Sequence, residues 1–165
     1  MKTKKLVTAA LMAALCCVAT LLITIPSPLK GYLNLGDSLV LLSAWILSPA
    51  YGFLAAGLGS ALADLISGYA IYAPATFLIK GLMAVIAHKG FQLLRKRFSP
   101  LPSRILSGAA AEVTMVLGYF VFEGFLYGFL PSAVNIPANS VQAVVGLCLA
   151  TALIKTLEQS KIVLR

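Results

Sequence analysis

The chain has 165 residues, of which 60% are hydrophobic and 11% are charged. A water-soluble domain of this length needs a far more polar surface, so this composition excludes a soluble protein and predicts an integral membrane domain. The net charge is +8, but the positive residues lie in clusters between apolar runs. That pattern is typical of membrane-topology signals, and it argues against a nucleic-acid-binding surface.

Apolar runs separated by proline, glycine or charged residues predict six transmembrane helices in a single domain, residues 1–165. Their approximate bounds are 5–25, 36–48, 50–67, 73–90, 105–129 and 137–157. The first run follows a basic start, as in a signal peptide. It is about twenty residues long, however, which is enough to span, so we interpret it as a retained helix. The second run is short and requires a tight turn at residues 48–51.

Three basic clusters orient these helices. They are Lys2, Lys4 and Lys5; the loop with His88, Lys89, Arg95, Lys96, Arg97 and Arg104; and Lys155, Lys161 and Arg165. Because basic loops favour the cytoplasm, we place all three clusters inside, and the number of crossings between successive clusters must then be even. An all-α bundle of six transmembrane helices with both termini cytoplasmic satisfies this condition. Its outer loops are residues 26–37, 68–72 and 130–136.

Polar side chains that are unusual in a membrane segment fall in the outer half of this bundle. They come from four predicted helices and are Asp64, Lys80, Glu123, Asn139 and Gln142. Structural interpretations exist: Lys80 could pair with Glu123, and the two amides could join helices. Intramembrane ionisable groups are costly, however, and tend to face cavities or mark ligand paths. Together they favour a polar cavity open to the outside. The role of Glu112, in the inner half, is left open.

The outer loops contribute further candidates. Residues 29–39, LKGYLNLGDSL, contain two glycines with Tyr32, Asn34 and Asp37. Asp37 could cap the second helix, or the glycine-containing loop could form a lid over the cavity. The other two outer loops add Tyr69, Tyr72 and Asn135 at the same mouth. Tyrosine is also common at membrane interfaces, which is the alternative for each of these tyrosines.

The first helix carries two pairs of alanines spaced four residues apart, Ala9 with Ala13 and Ala10 with Ala14. Small residues at this spacing let backbones approach closely in lipid, either inside the bundle or against another subunit. The sequence has no phosphate-binding loop, no metal-ligand spacing and a single histidine. We therefore predict no ATP hydrolysis by this chain, no cofactor, no metal and no enzymatic activity.

Residues 32–84, YLNLGDSLVLLSAWILSPAYGFLAAGLGSALADLISGYAIYAPATFLIKGLMA, resemble the substrate-binding (S) component of energy-coupling factor (ECF) vitamin transporters. The likeness lies in the long first outer loop with NLGD, the glycine-rich third helix that ends in ALAD, and the YAPATFLIKG start of the fourth. It implies a subunit of the bacterial plasma membrane that binds a vitamin from outside. The alanines of the first helix would then dock on a membrane scaffold subunit, which two ATPase subunits drive.

Within that family the sequence looks most similar to members for pyridoxine-like or hydroxymethylpyrimidine-like heterocycles. Such a flat, polar ring suits a cavity with tyrosines, amides and acids. Two alternatives remain. One is a self-sufficient secondary transporter in which Asp64, Lys80 and Glu123 relay protons, and the other is a membrane scaffold without a ligand of its own.

Overall fold

The computed structural model describes residues 2–29 and 31–160. Its helices are α1 (Lys2–Leu22), α2 (Gly36–Ile46), α3 (Pro49–Ile66), α4 (Ala73–Leu94), α5 (Pro100–Tyr127), α6 (Phe129–Ser132) and α7 (Ile136–Gln159), with a 3-10 turn at Ala133–Asn135. Two short strands, β1 (Ile25–Pro26) and β2 (Tyr32–Leu33), pair antiparallel in the first loop. The predicted all-α class is confirmed. Lys161 and Arg165 of the predicted C-terminal cluster lie outside the described residues.

Five helical segments are long and apolar enough to cross a membrane, and they start at residues 3, 49, 73, 100 and 129. The predicted second helix differs, because α2 has only 11 residues. At 1.5 Å per residue its length is roughly 16 Å, about half the hydrocarbon thickness of a bilayer. The first loop, residues 23–29 and 31–35, leads into α2 and contacts α3 through Tyr32 and α7 through Asn34. The first residue of α2, Gly36, lies against Thr20 near the end of α1.

Proline fixes where most of the long helices begin. Pro49, Pro74, Pro100 and Pro137 each lie in the first turn of a helix, α3, α4, α5 and α7 respectively. A proline is tolerated there because its missing N–H would have no intrahelical acceptor. For this reason α5 begins at Pro100, five residues before the predicted start. It ends before Gly128, whose φ of 93° is accessible mainly to glycine.

Helix α3 packs against α1 on one side and α4 on the other. A Cβ atom on Gly59 would collide with the Ala13 carbonyl oxygen and lie 2.8 Å from Cys16 Cβ, so the α1 backbone rests directly on α3. A Cβ atom on Gly57 would likewise lie only 2.7 Å from the Phe77 carbonyl oxygen of α4. Helices α2, α4, α5 and α7 complete the bundle, and the core between them includes Leu41 and Met115.

The end of the bundle that carries Arg95–Arg97, hereafter the basic end, is closed by an ion pair. Arg104 donates to both carboxylate oxygens of Glu158 at 2.9 and 2.6 Å, and its guanidinium lies 5.1 Å from the Phe91 ring and 5.9 Å from the Trp45 ring. These residues tie together α2, α4, α5 and α7. The opposite end, hereafter the pocket end, carries the first loop and residues 67–72 and 128–135.

Candidate functional site

A cavity of about 30 Å³ lies beneath the loops of the pocket end. Seven of the nine residues that the sequence suggests for binding line it: Asn34, Asp64, Tyr69, Tyr72, Glu123, Asn139 and Gln142. The other two, Lys80 and Asn135, are buried behind this lining. Five further residues line it: Ser27, Gly31, Tyr32, Thr76 and Tyr119. Gly31 and Tyr32 belong to the loop that the sequence suggests as a lid, whereas no sequence signal marked Ser27, Thr76 or Tyr119. The structure therefore brings the predicted polar groups around one cavity, and their role in binding remains a prediction.

Asp64 is placed in the cavity by the buried stripe of α3. It follows Ala56 and Ser60 at intervals of four residues, so all three face the bundle interior. The Tyr32 hydroxyl donates to Oδ1 of Asp64 at 2.7 Å. Burial, together with this hydrogen bond, raises the pKa of Tyr32 above its usual value, so the hydroxyl keeps the proton that it donates. The second oxygen, Oδ2, is buried and accepts no hydrogen bond of normal geometry from a described residue, although the Thr76 hydroxyl lies beside this carboxylate.

Glu123 is held by an amide from the connection between α5 and α7. Asn135 donates its Nδ2 to both carboxylate oxygens of Glu123 at 3.0 and 2.9 Å, and its Oδ1 accepts from the Leu29 N–H at 3.1 Å. The Tyr72 hydroxyl contacts the same carboxylate at 3.4 Å. Asn135 therefore orients Glu123 and fastens the first loop, and it does not itself line the cavity.

Gln142 connects the first loop to the core of the bundle. Its Oε1 accepts from the Asn34 N–H at 2.9 Å, and its Nε2 donates to Oδ2 of Asp37 at 2.6 Å. Asp37 is fully buried and also forms an ion pair with Lys80. The Lys80 ammonium lies 5.4 Å from the centre of the Tyr119 ring, whose side chain lines the cavity.

Two structural interpretations of the sequence are wrong at this point. Asp37 does not cap α2, because Leu35 holds the N-cap position and Asp37 lies inside the first turn with its carboxylate paired. Lys80 pairs with Asp37, so the alternative of an ion pair with Glu123 does not apply. The signal that would have identified Asp37 was its acidic side chain in an otherwise apolar helix, which is the same signal that identified Asp64.

Aromatic rings form the wall nearest the loops. The Tyr32 and Tyr69 ring centres are 4.9 Å apart, those of Tyr69 and Tyr72 are 6.2 Å apart, and Tyr72 contacts Phe122 at 5.4 Å. Tyr119 completes the lining from α5, four residues before Glu123 and thus on the same helix face. Aromatic walls with acidic and amide groups suit a flat, polar heterocycle.

The alanines of α1 divide into two groups. Ala9 is buried and Ala13 is half-buried, and the Ala13 carbonyl contacts Gly59 of α3. Ala10 and Ala14 are exposed and lie on the neighbouring stripe of the helix, about 100° around its axis. A docking surface on this helix can therefore include Ala10 and Ala14, whereas Ala9 belongs to the interior of the bundle.

An all-α bundle of apolar helices with a polar, tyrosine-lined cavity among its described residues is typical of a membrane-embedded protein with a site for a small molecule. The model of the family described as "ECF-type riboflavin transporter, S component" matches residues 1–159. The chain therefore belongs to this family of S components, the substrate-binding subunits of ECF transporters, and the S-component prediction is confirmed. The narrower pyridoxine or hydroxymethylpyrimidine subclass is not supported by this match.

Two further similarities accompany the family match. A protein of Pyrococcus woesei, described as an uncharacterized protein in a gap 3′ region, is 39% identical over 135 residues, which cover 79% of this chain and 85% of that protein. A solved structure, described as the S component of a bacterial ECF transporter, superposes with a TM-score of 0.79 at 24% identity and covers 96% of this chain and 98% of the other. This structural likeness shows that the chain and that S component share a fold.

Proposed function

We propose that the chain captures a flavin-type heterocycle, with riboflavin as the first candidate, from outside the cell for uptake by an ECF complex. The observation that carries this proposal is the unpartnered Oδ2 of Asp64 in a cavity walled by four tyrosines. A buried acceptor without a donor is costly, so a ligand that offers an N–H or O–H beside a flat ring satisfies it. The description of the family favours riboflavin over the pyridoxine-like ligands suggested by the sequence.

The ligand chemistry follows from the groups that face the cavity. The Asp64 oxygen accepts a hydrogen bond, and the Asn139 side-chain amide can both donate and accept. The rings of Tyr69 and Tyr72 offer surfaces for stacking. A flavin ring has an apolar edge and an opposite edge of alternating N–H and C=O groups. The cavity offers partners for both edges, because its tyrosine rings lie beside amide and carboxylate groups.

Ligand entry requires the first loop to move. The cavity of about 30 Å³ has the volume of a single water molecule, whereas ligand sites are generally several hundred Å³. Three hydrogen bonds hold the loop: Tyr32 to Asp64, Asn34 to Gln142 and Leu29 to Asn135. Each of these bonds stabilises the closed loop by about 1 kcal/mol, so a ligand that forms replacement hydrogen bonds can offset the free-energy cost of opening.

The orientation in the membrane and the partner subunits complete the assembly that we propose. We place both termini and the basic end in the cytoplasm of the cell that carries the transporter, and the pocket end outside. Ala10 and Ala14 would face the membrane scaffold subunit, because both are exposed and small. Two ATPase subunits would supply the energy for uptake.

The test uses the whole chain, purified alone in detergent and then reconstituted. Riboflavin, pyridoxine and hydroxymethylpyrimidine are titrated against the wild-type protein and the Asp64→Asn variant, and co-purifying small molecules are identified by mass spectrometry. We expect riboflavin to bind, Asp64→Asn to bind it at least tenfold more weakly, and proteoliposomes with the chain alone to show no uptake. Tighter binding of pyridoxine or hydroxymethylpyrimidine would overturn the flavin proposal. Ion-coupled uptake by the chain alone would favour a secondary transporter. Absence of binding to all three ligands would favour a scaffold without a ligand of its own.

A further inference from the structure

Glu112 is a buried acid that the proposed binding site does not use. It lies near the middle of α5, is 3% exposed, and neither carboxyl oxygen has a hydrogen-bond partner among the described residues. Its stem lines a groove of about 320 Å³ between α5 and α7 whose other lining residues include Val113, Leu117 and Val144. Because this groove is apolar and lies within membrane-spanning helices, an ionised and unpaired carboxylate beside it would be very costly.

The charged groups that face Glu112 are Asp37 from α2 and Lys80 from α4. Gly146 of α7 makes this arrangement possible, because a Cβ atom there would lie 2.8 Å from Asp37 Cβ and 3.1 Å from Glu112 Oε1. The cluster thus contains two carboxyl groups and one amine, and the amine is already paired with Asp37. It is electrically neutral only when one carboxyl group carries a proton, and the unpaired one is Glu112.

The same cluster is connected to the first loop through Gln142. The Gln142 amide donates to Asp37 and accepts from the Asn34 N–H, so the loop, Gln142, Asp37 and Lys80 form one chain of contacts. A change in the first loop therefore reaches Asp37 and Lys80 through the single side chain of Gln142.

We propose that Glu112 is a proton-binding site and the reserve counter-ion of Lys80. Glu112 is neutral while Lys80 is paired with Asp37, and it becomes a counter-ion of Lys80 when the Asp37 carboxylate is removed. This proton site in the unliganded protein does not depend on the proposed function.

The proton site is tested without any ligand by infrared spectroscopy of the purified chain near neutral pH. A protonated carboxyl group has a C=O stretch that is distinct from carboxylate and amide bands. We expect this band in the wild type and in the control Glu158→Gln, which alters a carboxylate at the basic end. The band should lose one component in Glu112→Gln and in Asp37→Asn, because without the Asp37 carboxylate Glu112 ionises and becomes a counter-ion of Lys80. An unchanged band in Glu112→Gln would overturn the proposal.

Discussion

The Tyr32 hydroxyl donates a 2.7 Å hydrogen bond to Asp64, so a side chain of the first loop occupies a carboxylate that lines the cavity. The two residues are 32 positions apart, on the first loop and at the end of α3. This bond occupies Oδ1, whereas the ligand donor that we expect is for Oδ2. If loop opening breaks the Tyr32 bond, the ligand must also compensate Oδ1, and that cost is subtracted from the gain in binding free energy.

Tyr32→Phe should speed ligand association. The substitution removes the donor to Asp64 but keeps the ring that contacts Tyr69 at 4.9 Å. Loss of a hydrogen bond of about 1 kcal/mol lets the loop open more often, so we expect roughly fivefold faster association of riboflavin. Stopped-flow measurement of flavin fluorescence gives the rate, and Tyr51→Phe on a tyrosine that does not line the cavity is the control. An association rate no faster than that of the control would refute the prediction.

Asn139→Ala should weaken ligand binding and leave stability unchanged. The Asn139 side chain lines the cavity and forms no hydrogen bond to another described residue, so its removal costs the unliganded protein little. We expect an affinity loss of about tenfold, which corresponds to one hydrogen bond of roughly 1.4 kcal/mol. Ser140→Ala is the matched control, because Ser140 bonds its own helix at the Ile136 carbonyl. Equal affinities for the two variants in equilibrium titrations would remove Asn139 from the site.

The sequence predicted the cavity because polar residues in apolar segments are conspicuous. Asp64, Glu123 and Gln142 were each identified by their cost in hydrocarbon, and helix orientation placed them at one end. The structure puts all three around one cavity. The even number of crossings between successive basic clusters was sufficient for this prediction. It gives the direction of each helix, and the direction assigns each polar group a depth in the membrane.

Pairing and loop geometry could not be predicted in the same way. Lys80 and Asp37 are 43 residues apart, and which acid meets this amine depends on how α2, α4 and α7 pack. The burial of Ala9 could not be predicted either, because the rotation of α1 about its axis decides which alanines face α3. Spacing along one helix gives the stripe that its small residues form, but it does not give the partner that the stripe contacts.

Ala10→Trp or Ala14→Trp should block uptake and spare ligand binding. Both alanines are exposed on α1, away from the cavity, so a large side chain leaves the pocket intact but prevents close approach of another helix. We expect at least a tenfold loss of riboflavin uptake in cells with the complete transporter, and an unchanged affinity of the purified chain. Ala110→Trp, on the exposed face of α5, is the control. Normal uptake with both α1 variants would show that this surface does not dock.

Gly59→Ala should destabilise the bundle far more than Gly52→Ala, although both substitutions add one methyl group to α3. At Gly59 the new Cβ meets the Ala13 carbonyl, a backbone atom of α1 that cannot move without shifting the helix. At Gly52 the nearest atom is 3.7 Å away, which is an ordinary contact. Overpacking of this kind costs about 1–3 kcal/mol, so we expect a clear fall in the thermal unfolding midpoint in detergent for Gly59→Ala and little change or a slight rise for Gly52→Ala. Equal midpoints would mean that α1 can move away from α3 at no cost, in which case the close packing of these two helices does not stabilise the fold.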